Sequence, residues 1–227
     1  MRFAALFSGG KDSTYALHLA MLKGLEIVCL ITLKPLREDS WMFHYPSVEI
    51  TKLQAKALGL PQIFKITSGV KGEEIKDLER AIKEAIEKYD IEGIVAGALL
   101  SDYQRMNIMR IVSKYDLEAY TPLWRKNQED YMRDVVKHGV KFIVTEINAF
   151  GLPMKFLGKE ITLDDVEEII KYARKYKFNP AFEGGEAETL VIDAPFFKKK
   201  LKVEGRILRI SEFNARYVIE KVELVEK

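Results

Sequence analysis

The sequence predicts an α/β protein built on a doubly wound parallel sheet, followed by a smaller domain of mixed α+β character. Two patterns carry this expectation. Over the first 120 or so of the 227 residues, short apolar runs alternate with stretches of helical spacing, the signature of βαβ crossovers. Near the end, polar and apolar residues alternate one by one, as in half-exposed antiparallel strands. Length adds a third constraint, because 227 residues suit one α/β domain with a smaller appendage better than two full domains.

The elements follow in order. "RFAALF" reads as a buried strand, and Ala16, Leu17, Ala20 and Met21 share one face of the helix after it, which Gly24 closes. "LEIVCLITL" is too apolar for a half-exposed strand and suits the centre of a parallel sheet. The loop "KPLREDSWMFHYPS" is longer than a plain strand-to-helix link needs, and such loops carry function. A helix over residues 47–58, the strand "QIFKIT", a charged helix over 73–89 and the buried strand "IEGIVAGALL" continue the alternation. "SDYQRMNIMRIVSKY" is predicted helical, with Ser101 and Gln104 spaced as a capping box. The pattern changes near Tyr120, which sets expected domains of 1–120 and 121–227. Beyond it come the helix "QEDYMRDVVKHG", the strand "VKFIVTEINAF", a helix opened by Thr162, and an antiparallel pair made by "KKLKVEGRILRI" and "ARYVIEKVELVE".

Composition excludes several classes. Hydrophobic residues make up 48% and charged residues 31%, as in a globular protein, and no apolar run is long enough to span a bilayer. Met1-Arg2 leads straight into a strand, so a cytoplasmic location and no membrane partner are expected. A net charge of +2 gives no argument for nucleic acid, and the basic run "FFKKKLK" reads as protection of an edge strand. The single cysteine, Cys29, lies in an apolar run and rules out an internal disulfide or a cysteine metal cluster. Abundant Lys and Glu with scarce Asn and Gln point towards a thermophilic source. His18 and His138 are read as structural.

The chemistry concentrates first in "FSGGKDST", residues 7–14, at the junction of the first strand and helix. It is not a Walker P-loop, because Lys11 is followed by Asp12 and no upstream glycine has the required spacing; nor does Gly9-Gly10 fit the dinucleotide fingerprint. Glycines there let backbone N–H groups turn towards an anion beside a helix N-terminus. Ser8 and Ser13 can donate to phosphate oxygens and Lys11 can neutralise them, while Asp12 would repel phosphate unless a divalent cation bridged the two. A tight glycine turn with a polar cap is the plainer reading of the same residues.

The stretch resembles the SGGxDS pyrophosphate-binding loop of the adenine-nucleotide alpha-hydrolase-like superfamily, the N-type ATP pyrophosphatases. These split ATP between the α and β phosphates and adenylate a carboxylate or carbonyl oxygen. "DSWMFH" (39–44), "GALLSDYQR" (97–105), "TPLW" (121–124), "GLPMKFLGK" (151–159) and "EGGEAETLVIDAPFF" (183–197) follow in order. With the opening loop they resemble the diphthine–ammonia ligase family over nearly the whole chain.

The resemblance implies a HUP-like first domain that binds ATP and a second that binds substrate. It also implies an ATP-dependent, AMP-forming carbon–nitrogen ligase that amidates the diphthine of translation elongation factor 2 with ammonium. Residues Phe7, Ser8, Gly9, Gly10, Lys11, Asp12 and Ser13 would hold ATP, with Gly97 and Ala98 letting the adenine approach the backbone and Asp12 holding Mg²⁺. Lys11, Asp12, Glu183 and Glu186 are the catalytic candidates, the ammonium proton passing to Glu183 or Glu186. Substrate contacts are expected from His44, Asp102, Tyr103, Gln104, Arg105, Glu183, Gly184, Gly185, Glu186, Glu188 and Thr189. Diphthine carries a quaternary ammonium, which aromatic faces and carboxylates hold best, and Trp41, Phe43, Tyr103 and Phe182 could supply the faces. Asp102 and Arg105 have the spacing of a helical ion pair. The chain departs from the family at Asn107 and Met109, where an arginine and a glutamate are expected, so no substrate contact is carried over to them.

The alternatives are another ATP pyrophosphatase, such as a tRNA-modifying ligase, or an ATP-binding module without turnover. Thiolation and glutamine-dependent amidation both call for a reactive cysteine, which Cys29 is poorly placed to be. A homodimer stays open.

Overall fold

The computed structural model describes residues 1–35, 47–68 and 72–227. The chain divides into two compact units, Met1–Trp124 and Arg125–Lys227. Unit 1 runs β1 (Arg2–Leu6), α1 (Lys11–Leu22), β2 (Glu26–Pro35), a 3-10 turn (Ser47–Ile50) leading into α2 (Thr51–Leu58), β3 (Gln62–Thr67), α3 (Glu73–Tyr89), β4 (Gly93–Val95), α4 (Asp102–Lys114) and β5 (Glu118–Tyr120). Its sheet has the order β3-β2-β1-β4-β5 with every neighbour parallel, the predicted doubly wound architecture.

The run of Ile, Val, Cys and Leu in β2 follows from its place between β1 and β3, with Cys29, Leu30, Ile31 and Leu33 almost wholly buried. In α3 the residues Leu78, Ala81, Ile82 and Ala85 recur at helical spacing and pack into the core, while Lys88 pairs with Glu84 one turn away on the wet face. The chain leaves β1 for β2 on one side and later returns to β4 on the other. The carboxyl ends of β1 and β4 therefore form the switch point where doubly wound sheets bind ligands.

Two elements differ from expectation in unit 1. The run over residues 91–100 forms only a three-residue strand, Gly93–Val95, after which the chain leaves the sheet towards α1. The fifth strand, Glu118–Tyr120, was not anticipated; three residues at a sheet edge are too few for a period to show. At the start of α4 the Ser101 hydroxyl accepts the Gln104 N–H at 3.2 Å, one half of the expected box.

Unit 2 contains α5 (Gln128–Lys137), β6 (Lys141–Ile147), a 3-10 turn (Met154–Phe156), α6 (Leu163–Tyr176), β7 (Ala187–Asp193), β8 (Lys200–Arg209) and β9 (Ala215–Val225). Its four strands run antiparallel in the order β7-β6-β9-β8, with β8 and β9 forming the expected hairpin. Thr162 opens α6 with a full capping box, its hydroxyl and backbone N–H exchanging hydrogen bonds with Asp165. β7 is an addition to the sequence reading, which took its residues only as a motif. Among the described residues, no helix is long and apolar enough to cross a membrane.

Candidate active site

Phe7 continues the pairing of β1, its N–H donating to Ile31 O at 2.9 Å, and its buried ring fastens the loop to the core. The next three residues turn the chain, and Gly10 caps α1 without a side chain of its own. Gly9 has φ +81°, a left-handed conformation that glycine alone adopts freely. The Ser8 and Ser13 hydroxyls lie 3.1 Å apart, and the Ser8 N–H donates to Ser13 Oγ at 3.2 Å. Two hydroxyls and the first turn of a helix thus converge at the carboxyl end of the central strand, an arrangement that suits the oxygens of an anion.

Lys11 is 2% exposed, and its ammonium donates to both carboxylate oxygens of Asp12 at 2.8 and 3.1 Å. Burying a lysine charge requires a partner, so Asp12 has a role in the loop independent of any metal. Among the described residues no cluster of three or more His, Cys, Asp or Glu is placed to bind a metal ion. A cation here would rest on Asp12 and on oxygens brought by a nucleotide. Mg²⁺ accepts that donor set, since it is commonly held by one or two carboxylates together with substrate phosphates and water.

Gly97 lies where the chain leaves β4. A Cβ at this position would come within 2.7 Å of the Asp12 carbonyl carbon and oxygen and 2.8 Å of Ser13 N. The absent side chain therefore admits the backbone of α1's first turn, which explains the glycine by packing. Ala98 beside it is buried.

On α4 the expected Asp102–Arg105 ion pair does not form. The Arg105 guanidinium instead lies 4.9 Å from the centre of the Trp124 ring, which joins the "SDYQR" motif to the "TPLW" motif by a cation–π contact. Asp102 is exposed and Gln104 half-buried. Tyr103 packs against the core, and burial, with the nearby Glu74 carboxylate as a second cause, raises its hydroxyl above the ordinary phenol range. The Asn107 amide donates to Tyr103 O at 2.8 Å, so it serves the helix, and Met109 is exposed. His44, Trp41 and Phe43 lie outside the described residues.

In unit 2 the acidic glycine segment closes on itself. The Glu186 carboxylate accepts the Asn179 N–H at 2.9 Å and the Gly184 N–H at 2.7 Å, and Asn179 Oδ1 accepts the Ala181 N–H at 2.8 Å. Phe182 is held at φ +66° with its side chain buried. Gly184 and Gly185 are exposed, with Glu183 half-buried beside them. Glu188 and Thr189 are half-buried in β7, and Glu188 stands opposite Glu146 across the β6–β7 ladder. Glu146 in turn stands opposite Arg216 of β9, whose guanidinium forms an ion pair with its carboxylate, Nε lying 2.9 Å from Oε2. Arg216 supplies the cationic partner that this density of carboxylate calls for.

Glu74, Glu146, Arg216 and Gln54 were not anticipated. Glu74 reads as an ordinary acid in a helix's first turn, yet it is wholly buried. Glu146 had a usable signal, a glutamate inside the apolar run "KFIVTEI". So had Gln54, which shares the buried stripe of Thr51, Ala55 and Leu58. The two histidines have plain structural settings: His18 is buried and stacked on Tyr15, and His138 Nδ1 lies 2.8 Å from Asp134 O.

A doubly wound parallel sheet with a glycine loop at its switch point, followed by an antiparallel α+β unit, defines a two-part α/β protein. The chain belongs to the diphthamide synthase family: the model of that family's N-terminal domain matches residues 1–119 and that of its C-terminal domain matches residues 127–225. Two relatives named diphthine–ammonia ligase, from Homo sapiens and Mus musculus, are each 36% identical over 225 residues, covering 90% of this chain and 84% of theirs. A solved structure described as a predicted subunit of tRNA methyltransferase from Methanocaldococcus jannaschii superposes with TM-score 0.41 at 17% identity, covering 86% of this chain and 98% of that one. That overlap is too loose to bear on function.

Proposed function

We propose that this chain amidates the carboxylate of diphthine on translation elongation factor 2, using ATP and ammonium and releasing AMP and pyrophosphate. The observation that carries the reading is family membership across both units, in a chain whose opening loop brings two serine hydroxyls together at the first turn of a helix. The factor, ammonium and ATP are its partners, and we place the reaction in the cytoplasm.

In this reading unit 1 takes ATP. Ser8, Ser13 and the amides of the loop hold the β and γ phosphates, and Lys11 stabilises the charge that develops as pyrophosphate leaves. A Mg²⁺ ion held by Asp12 and the phosphates would add charge neutralisation. Gly97 and Ala98 border the nucleotide. A diphthine carboxylate oxygen attacks the α phosphorus, the bond to pyrophosphate breaks, and an acyl-adenylate results. Ammonia then attacks the acyl carbon and AMP departs.

Unit 2 takes the modified side chain. Glu183, Glu186 and Glu188 oppose the quaternary ammonium. Both oxygens of Glu186 are engaged by backbone donors. That favours Glu183 as the acceptor of the ammonium proton.

The test incubates the protein with ATP, Mg²⁺ and ammonium, with and without diphthine-bearing factor, following AMP and the factor's mass. AMP release that depends on the factor, with a mass decrease of about one unit as hydroxyl is exchanged for amino, is the expected result. ATP binding without factor-dependent AMP would overturn the substrate assignment.

A further inference from the structure

The loop over residues 7–10 is held from behind by polar side chains that belong to neither the loop nor α1. Gln54, on α2 and wholly buried, donates from Nε2 to the Gly9 carbonyl at 2.9 Å. Thr51, one turn earlier and equally buried, presses against the same glycine: a Cβ on Gly9 would lie 3.0 Å from Thr51 Cγ2 and would collide with Gln54 Oε1. A second line reaches the loop through the sheet. The Thr32 hydroxyl of β2 donates to the Phe7 carbonyl at 2.6 Å, and the Gln62 amide of β3 donates to both Thr32 Oγ1 at 2.8 Å and Thr51 Oγ1 at 2.9 Å. Four side chains from β2, β3 and α2 thus back the loop, Gln62 half-buried and the other three buried, and two of them end on loop carbonyls.

We propose that Gln54, supported by Thr51, Gln62 and Thr32, is a positioning residue for pyrophosphate. It aims the loop's backbone donors by pinning the carbonyls on their opposite edge. A trans peptide unit carries its C=O and N–H on opposite sides. Holding the Gly9 carbonyl against α2 therefore directs the Gly10 N–H away from α2. Gly9 has no side chain to restrain it and sits at positive φ, so its peptide unit is the one most able to rotate without steric cost. A buried amide that spends a donor on that carbonyl removes the freedom. Preorganised donors of this kind avoid reorganisation when the anion binds.

The inference rests on the proposal that the loop binds the pyrophosphate part of ATP. The test measures the affinities of ATP, inorganic pyrophosphate and AMP by calorimetry for the full chain, for Gln54→Met, and for Ile82→Val, a core change on α3 away from the loop. All three proteins are measured at a temperature where melting curves show them folded. Gln54→Met is expected to weaken ATP and pyrophosphate by about tenfold, the worth of one buried hydrogen bond, while AMP is unchanged, because AMP lacks the phosphates that the loop holds. Ile82→Val is expected to leave all three affinities unaltered. Equal affinities in Gln54→Met and the unaltered chain would overturn the positioning role and leave the nucleotide site standing. Parallel losses for AMP and pyrophosphate would reduce Gln54 to a packing residue. Failure of the unaltered chain to bind ATP or pyrophosphate would remove the underlying reading itself. Should Gln54→Met not fold, Thr32→Val, which removes the donor to Phe7 and keeps the shape, is expected to show the same split, and its absence would overturn the proposal.

Discussion

A single hydrogen atom in place of a methyl group separates a working loop from a displaced one at Gly97. The nearest neighbours of a Cβ there are backbone atoms of Asp12 and Ser13, which cannot swing aside as the end of a long side chain can. Gly97→Ala should therefore cost roughly 1–3 kcal/mol through overpacking, and should weaken ATP binding as well, because the clash falls on the loop's own helix. Melting curves and nucleotide titration check both; a variant of unchanged stability and affinity would show that the two segments can move apart. The residues of this loop were legible as a group from their types and spacing. What spacing could not supply was the assignment of jobs within the group: Lys11 is paired to its neighbour Asp12, and Glu186 is engaged by loop amides. Those depend on where side chains point after folding.

Among the elements, α6 shows how much a local signal can carry. Thr162 and Asp165 cap its N-terminus reciprocally, and Lys159 donates to Asp165 Oδ1 at 2.6 Å. Burial alone would raise the Asp165 carboxyl, but the hydrogen bonds from Lys159 and Thr162 outweigh it and hold the group below the ordinary range. A carboxyl depressed in the folded state contributes stability that is present above its unfolded pKa and is lost as pH falls through its folded value. Asp165→Asn should thus lower stability by about 1 kcal/mol at neutral pH. The gap in melting temperature between the two proteins should close as pH drops below about 4, where carboxylates ordinarily protonate. A gap that persists or widens in acid would contradict the assignment. Strands were less legible than helices: Glu118–Tyr120 is too short to show a period, and the edge strand Ala187–Asp193 was hidden inside a functional motif.

For the whole molecule, Cys29 bears on chemistry by being withheld from it. It lies in β2, between β1 and β3 of the parallel sheet, with no exposed surface, and burial pushes its thiol up to about 12. It therefore stays protonated throughout the physiological range and has no access to reagents. A chromogenic disulfide reagent at pH 8 should leave the native protein unlabelled and should titrate the single thiol once guanidinium unfolds it, at a rate set by opening of unit 1. Fast labelling of the native protein would reopen the thiolation and glutaminase chemistries.

The sequence by itself determined the doubly wound sheet, the antiparallel hairpin at the end and the place of the glycine loop after the first strand. Each is written in local periodicity or in a contiguous motif. Tertiary structure alone decided that Gln54 and Thr32 hold the loop from behind, that Arg105 lies over Trp124 rather than beside Asp102, and that Glu146 and Arg216 neutralise one another across a ladder. The physical reason is range. A backbone's preference for helix or strand is settled within a few residues, whereas a buried polar group finds its partner through a fold that brings together positions as far apart as Gly9 and Gln54, or Glu146 and Arg216.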